Sequence, residues 1–323
     1  MAKILVAGKI PEIGLELLKD HDVEMYDKEE LISIDELTER VKDKDALLSL
    51  LSTKVPKEVI DAAPHLKIVA NYGAGYDNID YKYAGEKGIA VTNTPKVSTE
   101  ATAELTFALL LAAARRIPEG DTLCRTTGFN GWAPLFFLGR EVHGKTIGII
   151  GLGEIGKAVA KRAKAFGMDV LYTGPNRKLE AESELGATYV MLEELLQTAD
   201  FITINCAYNS NLHHMIDEEQ FKMMKKTAYI VNASRGPIMN EAALAHALKT
   251  NEIEGAALDV FEFEPKITEE LKELKNVVLA PHVGNATFET RDAMAEMAVR
   301  NILAVLNGEE PVTPVNQKVL VTK

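Results

Sequence analysis

Thr146-Ile147-Gly148-Ile149-Ile150-Gly151-Leu152-Gly153-Glu154-Ile155-Gly156 is the stretch from which the rest of the chain can be read. Its first five residues form an apolar, β-branched run of the kind that fills a strand buried on both faces. Three glycines follow at the spacing Gly-x-Gly-x-x-Gly, and Ile155, Val159, Ala163 and Phe166 then recur on one face of a predicted helix. Gly151 permits a tight turn, Gly153 lets a pyrophosphate approach the backbone, and Gly156 lets helix and strand pack closely. The amides around Leu152, Glu154 and Ile155, at the positive end of the helix dipole, complete an anion site. The glycine spacing alone is a weak signal. A strand before it, a helix after it and a further strand beyond that point to a nicotinamide or similar dinucleotide.

Downstream, the predicted strand Asp169-Val170-Leu171-Tyr172-Thr173 runs into Gly174-Pro175-Asn176-Arg177-Lys178. An NAD-selective site usually places Asp or Glu here, about 20 residues after the glycines, to bind the ribose hydroxyls. Gly174 removes the repulsion a carboxylate would exert on a 2′-phosphate, and Asn176, Arg177 and Lys178 can donate to one. The reading prefers NADP(H) and leaves NAD(H) usable.

Working outward, strand and helix patterns alternate in both directions. Upstream lie Lys3 to Gly8, Ala46 to Leu51, Lys67 to Ala70 and Ile89 to Thr92 as strands; downstream lie Phe201 to Asn205, Ala228 to Asn232, Gly255 to Val260 and Val277 to Ala280. A helix predicted over Thr99 to Arg116 is apolar on nearly every side, which places it at a domain junction. The final helix, Phe288 to Leu306, carries Met294, Met297, Ala298, Ile302 and Val305 on one stripe and stops at Asn307-Gly308. No convincing strand follows, so it is expected to return to the first domain. The predicted fold is α/β: two doubly wound parallel-sheet domains, Rossmann- or flavodoxin-like, with a cleft between them. Residues 1–98 plus 286–323 form the substrate domain and 99–285 the dinucleotide-binding domain.

Composition narrows the function. A length of 323 residues exceeds what one core usually supports. The net charge of −12, without a block of Lys and Arg, gives no field that would collect nucleic acid or an anionic membrane. Cys124 and Cys206 lie far apart and outside any Cys-x-x-Cys pattern, which suits a reducing, cytoplasmic setting. The apolar run in MAKILVAGKIPEIG is too short for a signal sequence or a membrane span. His213-His214 has no third ligand at a suitable spacing and reads as a polar loop, so no metal is expected.

Three ionisable residues fall just after predicted strands of the second domain: Arg235 after YIVNA, Glu264 after ALDV and His282 after VLAP. Strand carboxyl ends form the ligand crevice of a doubly wound sheet. Together these side chains suit carbonyl reduction of a keto acid: a cation for the carboxylate, a proton donor for the carbonyl oxygen, and a carboxylate that favours the charged imidazole.

These residues sit in VNASRGPIMNE, ALDVFEFEP and APHVGNAT, which with IIGLGEIG resemble the signature segments of the D-isomer-specific 2-hydroxyacid dehydrogenase family over nearly the whole chain. The resemblance implies that Arg235 orients the substrate, His282 is the acid–base group and Glu264 its partner. It also implies that Cys206, Ala233, Ser234, Asp259 and Gly284 join Arg235 and His282 along the cofactor. Asn71-Tyr72-Gly73-Ala74-Gly75-Tyr76-Asp77-Asn78 is similar to the family loop whose amides, here at Ala74 and Gly75, receive the substrate carboxylate. Leu51 and Tyr72 are placed near that substrate. Formate-oxidising relatives carry Gln at the position of Glu264, so Glu264 favours the hydroxy-acid branch.

Gly174 and the basic residues after it resemble the glyoxylate and hydroxypyruvate reductase branch. Two features depart from the wider family pattern: Gly174 itself, and Asn205-Cys206-Ala207-Tyr208 in place of a proline-containing segment. The resemblance further implies hinge closure over a small 2-keto or 2-hydroxy acid, and homodimers in which Trp132 to Phe137 reach toward the neighbouring subunit. A rival reading is a dinucleotide-sensing, corepressor-like binding protein; the complete Arg235, Glu264 and His282 set argues against it.

Overall fold

The apolar run Thr146–Ile150 is a central strand of a seven-stranded, all-parallel sheet in a computed structural model, which describes residues 1–316. The chain divides into two compact units, Met1–Ser98 with the segment from Asn285 onward, and Thr99–Gly284. Positions 317–323, which the sequence assigns to the substrate domain, lie outside the described residues.

In the first unit the strands are β1 (Lys3–Val6), β2 (Asp22–Met25), β3 (Ala46–Leu50), β4 (Ile68–Tyr72) and β5 (Ala90–Thr92), in the spatial order β2-β1-β3-β4-β5. This is the doubly wound order of flavodoxin-like sheets. β4, and all of β1 and β3 except Lys3 and Leu50, are buried on both faces, and their apolar residues divide between two clusters. One of these is completed by Met294, Ala298, Val299 and Ile302 of the helix Phe288–Leu306. Asn301 of that helix, also sealed, accepts from the Thr313 amide at 2.9 Å and donates to its hydroxyl at 2.8 Å, fixing the chain beyond the helix.

In the second unit β6 (Thr146–Ile150), β7 (Asp169–Thr173), β8 (Thr188–Tyr189), β9 (Phe201–Ile204), β10 (Tyr229–Asn232), β11 (Gly255–Leu258) and β12 (Val277–Leu279) are ordered β12-β11-β10-β9-β6-β7-β8. The order reverses between β6 and β9, where Ile150 stands opposite Ile204. At such a switch point the connections leave in opposite directions and open a crevice at the strands' carboxyl ends. The glycine turn after β6 opens into it.

The structure departs from the sequence reading in three places. The helix predicted through Arg116 ends at Ala114, Arg116 takes a left-handed conformation (φ 56°), and a second helix starts at Ile117 with Pro118 in its first turn. Proline suits a helix start and cannot continue an existing one, so it resets the chain here. The other two are edge strands that the pattern did not reveal. β2 contains an Asp and a Glu and is only half-buried, and β8 is two residues long. The helix Thr99–Ala114 belongs to the second unit, where it packs on the helix Glu154–Ala165 and on β10 and β11. Among the described residues no helix is long and apolar enough to cross a membrane.

Candidate active site

The turn after β6 is shaped by what its glycines lack. Gly151 has φ 97°, and a methyl group there would stand 2.8 Å from the backbone of Cys206, which follows β9. Only glycine lets the two chain segments meet so closely at the switch point. A methyl on Gly156 would stand 2.2 Å from the Gly151 carbonyl oxygen, so that glycine sets the approach of helix to turn. Gly153 faces open space and precedes the first residue of the helix Glu154–Ala165. A twelve-residue helix with an uncrowded start next to bare backbone is a cradle of the size and polarity a pyrophosphate needs. The residues therefore fit a dinucleotide.

At the end of β7, Gly174 has nothing within 4 Å of where a side chain would begin. Arg177 is already engaged: it donates to Glu182 through Nε at 3.1 Å and Nη2 at 2.6 Å, while remaining more than half exposed. Glu182 also accepts from the Tyr172 hydroxyl, and bonds from Arg177 and Tyr172 hold it ionised, down to about 2. Tyr172 in turn accepts from the Lys178 amide at 2.7 Å. The basic segment is thus a fixed edge, with its one arginine paired to Glu182.

Two turns of the second unit carry the ionisable residues. After β10, the sealed Asn232 folds the chain back by accepting from the Ser234 amide and donating to the Arg235 carbonyl, both at 3.0 Å. Ser234 Oγ donates to the Cys206 carbonyl, tying this turn to the one after β9. Burial pushes the Cys206 thiol up to about 11, so it is a protonated packing group beside Gly151. Gly236 follows Arg235, and a methyl there would stand 1.9 Å from the Phe261 carbonyl carbon and 2.3 Å from the Glu262 amide nitrogen. The Arg235 turn therefore lies directly on the backbone of the loop leading to Glu264.

Glu264 and His282 meet, with Glu264 Oε2 2.8 Å from His282 Nδ1. Its other oxygen accepts from the Phe261 amide at 2.9 Å. Burial raises the Glu264 carboxyl, but the bonds from His282 and Phe261 and the charges of His282 and Arg235 outweigh it and hold it below the usual carboxylate range. His282 has φ 54°, a conformation costly for a residue with a side chain, by about 1–3 kcal/mol. Asp259, buried at the end of β11, holds it there by accepting from the Val283 and Gly284 amides, each at 2.8 Å. That burial raises the Asp259 carboxyl, against the lowering effect of the two amides and of His282. The structure thus gathers Arg235, Glu264, His282, Asp259 and Gly284 at one edge of this sheet, with Cys206, Ala233 and Ser234 leading toward the glycine turn. A cation, a proton-transferring imidazole and an ionised carboxylate in one place suit acid–base work on a carbonyl or hydroxyl group.

In the first unit, Leu51 lies across Gly73, its Cδ2 2.2 Å from where a methyl would stand. Asn93 Nδ2 donates to the Ala74 carbonyl and Asn71 Nδ2 to the Gly75 carbonyl, both at 2.6 Å. In a trans peptide the N–H points opposite to the C=O. Asn93 therefore aims the Gly75 amide away from itself, and Asn71 does the same for the amide after Gly75. Tyr72 differs from its neighbours: its ring is buried in the core and its hydroxyl donates to the Arg291 carbonyl at 2.7 Å, so its side chain secures the last helix rather than lining the loop. The sequence reading missed Asn93 and Gly236, whose roles depend on chain crossings that no local spacing encodes, and Asn232, which shapes the local turn before Arg235.

Comparison with known proteins follows the same lines. Residues 107–284 match the family model described as "D-isomer specific 2-hydroxyacid dehydrogenase, NAD binding domain". Over 317 residues, 98% of this chain and 100% of the relative, the chain is 66% identical to a Staphylococcus aureus (strain MRSA252) protein named as a 2-hydroxyacid dehydrogenase. A crystal structure of a Thermus thermophilus protein superposes with a TM-score of 0.92 at 40% identity, over 97% of this chain and 99% of that one. The NADPH-dependent glyoxylate/hydroxypyruvate reductase of Sinorhizobium meliloti, solved with NADP and malonate, gives 0.84 at 33% identity over 98% of each chain.

Because Gly236 faces backbone, Gly236→Ala should overpack the contact by about 1–3 kcal/mol. For a unit of this size that lowers the melting temperature by about 2–12 °C. Differential scanning calorimetry measures it, and an unchanged transition would contradict the packing described.

Proposed function

The chain belongs to the D-isomer specific 2-hydroxyacid dehydrogenase family, oxidoreductases that act on the CH–OH group, and on that premise we propose that it reduces a small 2-keto acid to the D-2-hydroxy acid, and the reverse. The observation that carries the proposal is the 2.8 Å contact between His282 Nδ1 and Glu264 Oε2, with the Arg235 turn seated on the same loop. Gly151, Gly153, Gly156 and the helix start would hold the pyrophosphate of a nicotinamide dinucleotide, which when bound supplies or accepts the hydride.

The protein's own residues do the rest. Glu264 occupies His282 Nδ1, which leaves Nε2 to face the reacting oxygen. During reduction Nε2 gives its proton to the oxygen of the former carbonyl, and during oxidation it takes the hydroxyl proton back. Arg235 binds the carboxylate and orients the keto group through a charge-assisted bond. Asp259 keeps the imidazole in place by gripping the two residues after it. In the first unit the Gly75 amide, aimed by Asn93, is a donor suited to a carboxylate, and Leu51, lying across Gly73, suits a short or apolar chain. Glyoxylate, hydroxypyruvate, pyruvate and larger 2-keto acids all carry the required group.

NADP(H) is the favoured cofactor on this reading and NAD(H) is also accepted. The support is the open space at Gly174 in place of a carboxylate, with Arg177 and Lys178 beside it, and a relative described as NADPH-dependent. Self-association as a homodimer is supported by the exposed Phe129, Trp132, Leu135 and Leu138 between the helix Ile117–Arg125 and β6.

Reduction is tested by following oxidation of NADPH and NADH with glyoxylate, hydroxypyruvate, pyruvate and phenylpyruvate. His282→Ala should lose about 10²–10⁴-fold in kcat while keeping NADPH affinity, and Glu264→Gln should move the pH profile of reduction toward acid. No turnover by the unaltered protein would leave a nucleotide-sensing protein as the better account. Asn93→Ala should raise KM for the keto acid and spare kcat, since a carboxylate is held alike in ground and transition state; the opposite pattern contradicts the loop's role. Gly174→Asp should shift the ratio of kcat/KM values from NADPH toward NADH, and an unaltered ratio excludes the ribose argument.

A further inference from the structure

Apart from the constellation above, His213, His214 and Glu262 form a second cluster, with one donor atom from each lying within 4.8 Å of the others. The third donor that the His213-His214 pair lacks in sequence comes from 48 residues beyond His214, in the loop that leads to Glu264. We infer that this cluster is a binding site for one divalent transition-metal ion of borderline softness, such as zinc(II) or cobalt(II), unconnected with hydride transfer. Two imidazoles and a carboxylate are the donor set such ions take, with remaining positions left to water.

Two of the three donors are set in place. Glu262 Oε1 lies 2.6 Å from His214 Nε2, and the Glu262 side chain is only 10% exposed. Its second oxygen accepts from the Glu241 amide at 3.4 Å, and its own amide donates to the buried Glu241 carboxylate at 2.5 Å. Ligating carboxylates are typically held by such outer bonds. His214 is fixed by its left-handed backbone (φ 52°) and by its amide, which donates to the Pro237 carbonyl at 2.9 Å. His213 is exposed and stacks on His214, with centroids 4.0 Å apart and planes 19° apart. Parallel stacked rings cannot both point lone pairs at one ion. The exposed His213 must therefore turn out of the stack to close on an ion held between His214 and Glu262.

Glu262 precedes Glu264 by two residues, and Pro237 lies in the turn directly after Arg235. An ion at this site cross-links the chain after β9 to the loop that carries Glu264, while the His214 amide already ties that chain to the turn after Arg235.

The test uses the full, untagged chain stripped of metal, with cobalt(II) as the probe. Titration should produce visible d–d absorption saturating at one ion per chain and bleached by equimolar zinc(II). His213→Ala, at an exposed position, and Glu262→Gln should each weaken cobalt binding at least about tenfold, the lower end of what losing even an outer-shell partner costs. His282→Ala should leave binding unaltered, which separates this site from the catalytic pair and from the proposed enzymatic function. No absorption in several-fold cobalt excess would overturn the inference, as would a signal that survives His213→Ala or disappears in His282→Ala.

Discussion

The contact between Glu264 and His282 is the interaction to which the rest of the second unit is fitted. An imidazole is useful as a proton carrier only if one nitrogen is committed and the other left available, and Glu264 makes that commitment. Keeping the contact requires several otherwise unrelated features. Asp259 must be buried at the end of β11 to grip the strained backbone after His282. Gly236 must lack a side chain so that the Arg235 turn can rest against the loop carrying Glu264. The parallel sheet supplies the common edge, because its strands all end on the same side.

The same logic governs the cofactor side. Only glycine at 151 permits the turn after β6 to meet the chain after β9, and Ser234 then ties that chain to the Arg235 turn. Three strand ends are thereby linked through backbone contacts and one hydroxyl. A change in any of these small residues is transmitted to the others, which is why the smallest side chains here carry more positional information than the large apolar ones beneath them. Nearby, Glu182 shows how a charge expected to be available can be partly committed. Arg177 is present as the sequence suggests, yet it is held by a carboxylate five residues away.

Much of the architecture was legible before any coordinates. Continuous apolar strands such as TIGII, alternating with amphipathic helices and punctuated by glycine, leave few alternatives to a doubly wound parallel sheet. The edge strands β2 and β8 were not legible, because an edge needs neither two apolar faces nor length. The break at Arg116 does not show in the helix propensity of the residues before it, because it is set by Pro118 after it. Within the site, chemistry-bearing residues stand out by type, whereas Asn93 and Gly236 act by where they touch distant backbone and Asn232 by the turn it closes. The same holds for Glu262, which reaches His214 only through the fold. Tyr72, attractive by its place in the sequence, turns its hydroxyl to the last helix instead.

If Glu264 acts only through His282, the two residues form one functional unit and their effects cannot add. The decisive measurement is a double-mutant cycle on kcat for keto-acid reduction, comparing Glu264→Gln, His282→Ala and the pair together. The account predicts that the double variant is no slower than His282→Ala alone. Losses that multiply, as for independent residues, would contradict it.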